Sequence, residues 1–233
     1  MGRGTLGAQQ GMQAATAQQA KEAALRSHPE TTKQVANHEM TGAQKLDWLK
    51  TVCPGMTLDE RSEAVKALEH YSETGYLEIH QSNPHNDSKV AKEIELIDRV
   101  LDGKNTPIYK GVIYRGVEYK RGEAELRKTI KSGQWRETGI TSFSSSLDTA
   151  KHFAEVKWGS QSTISVILRV PAGKNLSGVP FKHLSKISSE NEVLLPSSVK
   201  DRGWTIKNAK WTTNQNGHKI VYLDVEENIR RKK

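Results

Sequence analysis

Apolar residues between positions 41 and 101 recur at three- and four-residue steps, the spacing of one face of an α-helix. The pattern predicts three helices, with the faces Leu46, Leu49 and Val52; Val65, Leu68 and Tyr71; and Val90, Ile94, Ile97 and Leu101. A capping box from Thr57 to Glu60 marks the start of the second, because the hydroxyl and the carboxylate each accept a backbone N–H. The sequence therefore predicts a helical lobe over residues 41–105.

From Ile108 the pattern changes to an alternation of apolar and polar residues, which is typical of strands. The predicted strands lie at 108–114, 140–145, 162–170, 190–195, 204–211 and 218–225, with short helices at 122–131 and 148–156. Asn216-Gly217 predicts a hairpin between the last two strands, because both residues tolerate positive φ. About six strands with few helices among them indicate an antiparallel or mixed α+β core over 106–228, and exclude a doubly wound parallel sheet.

The second short helix has two predicted features of its own. Asp148 is the predicted N-cap, because a side-chain oxygen at this position can accept a free backbone N–H of the first turn. The predicted buried face consists of Ala150, Phe153 and Ala154. The simplest interpretation of Phe153 is therefore that it is a core residue.

The two ends of the chain differ in composition from the middle. Residues 1–40 are rich in Gly, Ala, Gln and Thr, and bury too little apolar surface to offset the entropy of ordering, so we expect a flexible arm. Residues 229–233 form a basic tail. The N-terminus lacks the apolar region of a signal peptide, and no apolar run approaches the roughly 18 residues of a membrane span. We therefore expect no signal peptide and no membrane partner.

The charge of the chain favours an acidic partner. The 233 residues carry a net charge of +8, which suits nucleic acid, an anionic protein face or a polyphosphate ligand. Most basic residues are dispersed, so nucleic acid is a possible partner and not a required one. The single cysteine, Cys53, can form no internal disulfide, which fits a reducing compartment. His80 and His85 lack partners at ligand spacing, so no metal is expected.

Two carboxylates, Glu190 and Glu192, precede the apolar run Val193-Leu194-Leu195. If the strand begins at Glu190, both side chains point to one face of the sheet, with Cα atoms about 6.6 Å apart. Like charges at this distance repel and add nothing to packing. Taken alone, the pair is most simply a solvated strand end.

Two other motifs precede this pair along the chain. Tyr114-Arg115-Gly116 closes the first predicted strand, and a serine-rich run, Ser142-Phe-Ser-Ser-Ser146, lies on a later one. Each has an ordinary explanation when taken alone. An arginine at a strand end is usually a solvated cation, and a run of serines is usually a turn.

In this order, the three motifs resemble the Arg–Ser–Glu class of mono-ADP-ribosyltransferases, which includes binary toxins, vertebrate arginine transferases and tailed-phage transferases. The resemblance covers residues 108–225 and is strongest at Tyr-Arg-Gly, Ser-Phe-Ser-Ser-Ser-Leu and Glu-x-Glu-Val-Leu-Leu-Pro. Ser145 stands where the family usually has threonine and keeps the hydroxyl. The resemblance implies the ADP-ribosyltransferase fold, which is α+β with a mixed or antiparallel two-sheet core and an N-terminal helical lobe.

The chemistry of NAD suits these residue types. A guanidinium such as that of Arg115 can bind a phosphate through two hydrogen bonds. A carboxylate can stabilise the ribosyl cation that forms as the nicotinamide bond breaks. The resemblance implies that NAD is the substrate, that Glu192 faces the ribose and that Ser144 orients Glu192. It also implies an NAD site over 106–228, with the candidates Tyr114, Arg115, Gly116, Ser146, Phe153 and Lys157.

The other carboxylate, Glu190, bears on the acceptor. Releasing a neutral guanidine from arginine at pH 7 costs about 7–8 kcal/mol, because arginine titrates above pH 12. A carboxylate that holds the guanidinium and takes its proton as the new bond forms avoids most of this cost. In the family that the chain resembles, Glu at this position goes with arginine acceptors. Phe181 and His183, in the segment 180–189, are candidate contacts to the target protein.

The sequence thus predicts an NAD-dependent arginine ADP-ribosyltransferase acting on a host protein, such as one of transcription or translation. A phage origin, a location in the host cytoplasm and packaging in a virion fit the compact chain without a signal peptide. Three alternatives stay open. They are a secreted toxin effector of this fold, an NAD glycohydrolase that uses the same residues, and a basic virion or nucleic-acid-associated protein without enzymatic activity.

Overall fold

The computed structural model describes residues 39–75, 79, 88–137, 140–155, 163–173, 178–181, 184–185, 191–197 and 203–228. Helices come first in this part of the chain, and the strands follow with two further helices among them. None of the helices described is long and apolar enough to cross a membrane. The predicted arm over residues 1–40 lies outside the described residues except for Glu39 and Met40, and the predicted tail lies wholly outside them.

The three predicted helices of the lobe are present as α1 (Gly42–Val52), α2 (Leu58–His70) and α3 (Ser88–Leu101). The predicted capping box is confirmed, since Thr57 Oγ1 accepts from the Glu60 N–H and the Glu60 carboxylate accepts from the Thr57 N–H. Thr41 and Gln44 form a second capping box at α1. A π-helical turn, Tyr71–Gly75, extends α2.

Eight strands, within the described residues, form one sheet in the order β2-β7-β8-β4-β1-β3-β6-β5. The elements are β1 (Ile113–Tyr119), α4 (Gly122–Ser132), β2 (Gln134–Trp135), β3 (Thr141–Ser144), α5 (Leu147–Ala154), β4 (Ile164–Val170), β5 (Val179–Pro180), β6 (Glu192–Leu195), β7 (Trp204–Thr213) and β8 (Lys219–Glu227). Of the neighbouring pairs in this sheet, β4 with β8 is parallel and the others are antiparallel. The predicted α+β class with a mixed sheet is confirmed.

The two-sheet core expected from the resemblance takes the form of two parts of this sheet. Strand β1 pairs with β4 along its whole length, from Ile113 to Tyr119. On its other side, β1 pairs with β3 at Tyr114 and Ser144, and no further pair follows along these two fully described strands. A five-strand part, β2-β7-β8-β4-β1, therefore meets a three-strand part, β3-β6-β5, at a single residue pair.

The two faces of the sheet are covered by different helices. Helix α4 packs on one face, where Leu126 shares a core cluster with the inward side of β4. That side consists of Ile164, Val166, Leu168 and Val170, as the alternation predicts. Helix α5 lies on the opposite face, where the Ser165 hydroxyl donates to the Ala154 carbonyl at 2.6 Å. The sheet is therefore a middle layer between α4 and α5.

The helical lobe packs on the three-strand part. Its buried face, which includes Leu49, Leu68 and Ile97, forms one cluster with Val179 of β5 and Leu194 of β6. Each fully buried side chain of this kind contributes about 1.5–3 kcal/mol. The lobe and the strand that begins with Glu192 are therefore parts of one core.

The lobe is also joined to the end of β6 by hydrogen bonds. The Asp98 carboxylate on α3 accepts from the Ser197 backbone N–H at 2.7 Å and from the Ser197 hydroxyl. Ser197 follows Pro196, directly after the strand. Helix α3 therefore fixes the position of the strand end.

Several predicted boundaries are wrong. Strand β1 runs from Ile113 to Tyr119 and not from Ile108 to Tyr114, because its partner β4 ends at Val170, the residue paired with Ile113. Tyr114-Arg115-Gly116 therefore lies near the start of this strand and does not close it. Strand β6 begins at Glu192 and not at Glu190. Helix α5 is capped by Ser146 and not by Asp148, since the Ser146 hydroxyl accepts from the Thr149 N–H at 3.2 Å.

The predicted hairpin between the last two strands is confirmed. Asn214 N–H donates to the His218 carbonyl at 2.9 Å across the turn. Gly217 has φ +77°, a conformation that glycine adopts without steric cost. Strands β7 and β8 are thereby paired from Trp204 to Glu227.

The ion pair between Glu60 and Arg99 should make the lobe sensitive to acid. The hydrogen bond from Arg99, followed by those from Thr57, lowers the pKa of Glu60 from 4.5 to about 2. Because the folded-state pKa is depressed, the stabilisation is present above pH 4.5 and is lost as the pH falls towards about 2. We expect the thermal midpoint to fall less steeply over this range in Glu60→Gln than in the wild type, as measured by circular dichroism.

Arg99→Gln provides the matched variant for this experiment, because Arg99 is the largest cause of the shift. It should flatten the same part of the curve. Parallel curves for the wild type and both variants would contradict the assignment.

Candidate active site

Glu192 is the first residue of β6, and its side chain is buried. It is 7% exposed and lies directly opposite Ser144 in the β3–β6 register. The Ser142 hydroxyl donates to Glu192 Oε1 at 2.6 Å. A carboxylate that accepts a short hydrogen bond in a confined position has a fixed orientation.

Arg115 lies beside the point where β1 and β3 separate. It follows Tyr114, the residue that pairs with Ser144. Its Nη1 donates to the Ser142 carbonyl at 2.6 Å, and its Nε donates to Glu137 Oε1 at 3.3 Å. If β1 and β3 stayed paired, a backbone N–H of β1 would donate to the Ser142 carbonyl. The guanidinium of Arg115 replaces that donor.

Ser142 connects the cation and the carboxylate. Its carbonyl accepts from Arg115, and its hydroxyl donates to Glu192. The three motifs identified in the sequence thus meet at one residue. Strand alternation gave a signal for Ser142, because it lies two positions before Ser144 and so on the same face.

Glu137 is a second residue of this site that sequence reasoning missed. It follows β2 and lies in a connection without a regular pattern, so nothing in the sequence marks it. Its Oε1 accepts from Trp135 Nε1 at 2.8 Å as well as from Arg115. The side chain is 12% exposed, against 20% for Arg115.

The serine run also links two elements. Ser144 Oγ accepts from the Ser146 N–H at 3.0 Å, and Ser146 in turn caps α5. The Ser145 N–H donates to the Asn191 carbonyl at 3.0 Å. The serine run therefore ends β3, caps α5 and binds the backbone of Asn191, the residue before Glu192. Its interpretation as a simple turn is incomplete.

Asn191 changes the predicted geometry of the two carboxylates. Its φ is +48°, in the left-handed region that asparagine tolerates better than most residues. The backbone at Asn191 is therefore not extended, and β6 does not continue back through this residue. Glu190 itself lies outside the described residues.

Gly116 allows α5 to lie close to β1. A Cβ added there would be 1.8 Å from the Ala150 carbonyl oxygen and 2.7 Å from the Ala154 nitrogen. No side chain fits between this strand and this helix. Gly116 therefore has a packing role.

The remaining predicted residues have different outcomes. Phe153, on α5, is 46% exposed, so its core interpretation is wrong and its ring is open to a ligand. Phe181 is 0% exposed and belongs to the core cluster of the lobe, so the prediction that it contacts a target is wrong. Lys157 and His183 lie outside the described residues. In the part of the chain that is described, no three His, Cys, Asp or Glu side chains gather as metal ligands.

Comparison with solved structures identifies the fold. The Vis toxin, an ADP-ribosyltransferase from Vibrio splendidus, is similar to this chain with a TM-score of 0.55 and 22% identity, over 88% of this chain and 89% of that chain. The chain has the ADP-ribosyltransferase fold. Vis in complex with the M6 inhibitor and with agmatine gives TM-scores of 0.54 and 0.53, each at 21% identity over 86% of this chain and 88% of that chain. No protein-family model and no curated protein matches the sequence.

The close contact at Gly116 leads to a stability prediction. Gly116→Ala should lower the free energy of unfolding by about 1–3 kcal/mol, because α5 must move to admit the methyl group. Gly42→Ala is the control, since a Cβ there has no atom within 4 Å. Denaturant unfolding measures both. Equal free energies of unfolding for the two variants would contradict this prediction, because they would show that α5 can move away from β1 without loss of stability.

Proposed function

We propose that this protein is an NAD-dependent mono-ADP-ribosyltransferase whose acceptor is an arginine side chain of a target protein. The observation that carries the proposal is the double role of Ser142, which binds Arg115 through its carbonyl and Glu192 through its hydroxyl. This arrangement sets a cation and an oriented carboxylate on either side of one residue. NAD presents the complementary charges, a diphosphate and a ribose that becomes cationic during the reaction.

The residues present fit NAD as the substrate. Arg115 keeps N–H groups on Nη1 and Nη2 that donate to no described residue, and these would bind a phosphate oxygen. Glu192 would face the ribose, where its 2′-hydroxyl can donate to the carboxylate. The exposed ring of Phe153 would offer an aromatic surface to the nicotinamide.

The bond changes follow from these positions. The bond between ribose C1′ and the nicotinamide nitrogen breaks, and nicotinamide leaves with the electron pair. The C1′ cation is stabilised by Glu192, which is already oriented by Ser142 and so needs little rearrangement. An arginine nitrogen of the target then bonds to C1′. The proton released from that nitrogen goes to a general base, for which the proposal names Glu190.

Two arguments support arginine as the acceptor. The sequence has Glu190 at the position that goes with arginine acceptors in the family it resembles. In addition, the similar Vis enzyme has been crystallised with agmatine, a small molecule that carries a guanidinium group like that of arginine. The acceptor pocket would then lie beside the left-handed turn at Asn191.

We propose a host protein of transcription or translation as the target, and the host cytoplasm as the place of action. This rests on the resemblance to tailed-phage transferases. The net charge of +8 suits an acidic partner surface. Mass spectrometry of a bacterial lysate treated with the protein and NAD would identify the modified protein and residue. Modification confined to side chains other than arginine would overturn the acceptor assignment.

Glu192→Gln tests the catalytic assignment. Glutamine retains the shape and the acceptor oxygen for Ser142 but removes the charge that stabilises the ribosyl cation. We expect transfer of labelled ADP-ribose to fall by about 10²–10³-fold, with little change in NAD affinity. Glu125→Gln, which removes an exposed carboxylate on α4, is the control and should keep full activity. Undiminished labelling by Glu192→Gln would contradict the catalytic role of Glu192.

Glu190→Gln separates transfer from hydrolysis. Loss of the base should abolish transfer to arginine, whereas water can still capture the ribosyl cation, so hydrolysis of NAD should persist. Release of nicotinamide and labelling of agmatine are measured side by side. Equal loss of both activities would contradict the acceptor role. Hydrolysis without transfer in the wild type would instead identify an NAD glycohydrolase.

A further inference from the structure

Glu137 is a carboxylate that the proposed reaction does not use directly. Its Oε1 accepts from Trp135 Nε1 at 2.8 Å and from Arg115 Nε at 3.3 Å. Trp135 is 5% exposed and pairs with Trp204 in the β2–β7 ladder. A buried indole in a paired strand moves little, so the carboxylate oxygen that Arg115 meets is itself held in place.

The two bonds of Arg115 define which side of its guanidinium faces outward. Glu137 takes the Nε–H, and the Ser142 carbonyl takes one N–H of Nη1. The other Nη1 N–H and both Nη2 N–H groups donate to no residue in the described part of the chain. A guanidinium is planar, so two anchored donors determine the direction of the rest.

We propose that Glu137 is a positioning residue that holds Arg115 so that its Nη edge is presented to the diphosphate of NAD. The inference rests on the proposed function and deepens it. An arginine side chain loses rotamer freedom when it binds a phosphate, and a side chain that is already anchored loses less. Glu137 thus acts through hydrogen bonds, at the expense of some electrostatic attraction between Arg115 and the diphosphate.

Two variants of Glu137 distinguish the effect of its hydrogen bonds from the effect of its charge. Glu137→Gln keeps an oxygen that can accept from both Trp135 and Arg115 but removes the negative charge. Glu137→Asp keeps the charge but withdraws the carboxylate by one methylene, so it cannot reach both donors. If hydrogen bonding positions Arg115, the glutamine variant behaves like the wild type and the aspartate variant does not. If charge alone matters, the order is reversed.

The steady-state experiment uses the full chain with NAD and agmatine. We expect Glu137→Asp and Glu137→Ala to raise the KM for NAD by about tenfold while kcat stays within a factor of about two, and Glu137→Gln to keep the KM within about threefold of the wild type. Glu125→Ala is the matched control, because it removes an exposed carboxylate on α4 that is paired with Lys128. An unchanged KM in Glu137→Asp, or a lower KM in Glu137→Ala, would overturn the proposal.

A measurement without NAD tests the anchor itself. The Arg115 Nε–H signal in ¹⁵N–¹H spectra, assigned by its disappearance in Arg115→Lys, should exchange slowly with solvent in the wild type and in Glu137→Gln. It should exchange rapidly in Glu137→Asp. Rapid exchange in the wild type would overturn the anchor even if every variant were active.

The two experiments keep the inference distinct from the proposed function. A wild-type protein that binds no NAD in calorimetry, yet shows a protected Arg115 Nε–H, would refute the proposed function and, with it, the role of the anchor towards NAD. Normal NAD binding with a KM unaffected by Glu137→Asp would leave the function standing and refute the inference alone.

Discussion

The site depends on the separation of β1 from β3 after a single residue pair. The two strands share the pair Tyr114–Ser144 and then diverge, which leaves the backbone carbonyl of Ser142 without a strand partner. Arg115 supplies the missing donor through Nη1. A guanidinium can lie at the middle of the sheet because it satisfies a backbone group that would otherwise be costly to bury. Continued pairing of the strands would remove both the space and the reason for the cation.

The rest of the fold maintains this separation. The absence of a side chain at Gly116 lets α5 lie directly on β1, and Ser146 starts α5 immediately after β3. On the other side, the helical lobe shares its core with β5 and β6, and Asp98 holds the end of β6 through Ser197. Helix α5 thus holds β1 and the end of β3, and the helical lobe holds β5 and β6. A single residue pair, Tyr114–Ser144, is therefore enough to connect the two parts of the sheet.

Periodic features of the chain could be predicted from the sequence, and contacts between distant segments could not. The three lobe helices, the alternation of β4 and the hairpin at Gly217 follow from local patterns. The strand boundaries at Ile113 and Glu192 were missed because they depend on where the partner strands end. The burial of Phe181 likewise depends on the lobe that packs over it.

The candidate site shows the same division. Arg115, Ser144 and Glu192 could be named as candidates because they occur in recognisable motifs. Glu137 was missed because its role comes from two donors, Trp135 and Arg115, that reach it only in the folded chain. The left-handed conformation of Asn191 was missed because asparagine is also common in ordinary turns.

The carbonyl of Ser142 has a consequence for how such a site can persist while sequences diverge. The contact with Arg115 uses the main chain, which every amino acid provides, whereas the contact with Glu192 uses the hydroxyl. Substitution at this position can therefore remove the support of the carboxylate but leave that of the cation intact. Half of the connection is encoded by the path of the backbone alone, so it can be inherited with the fold even where few side chains are shared.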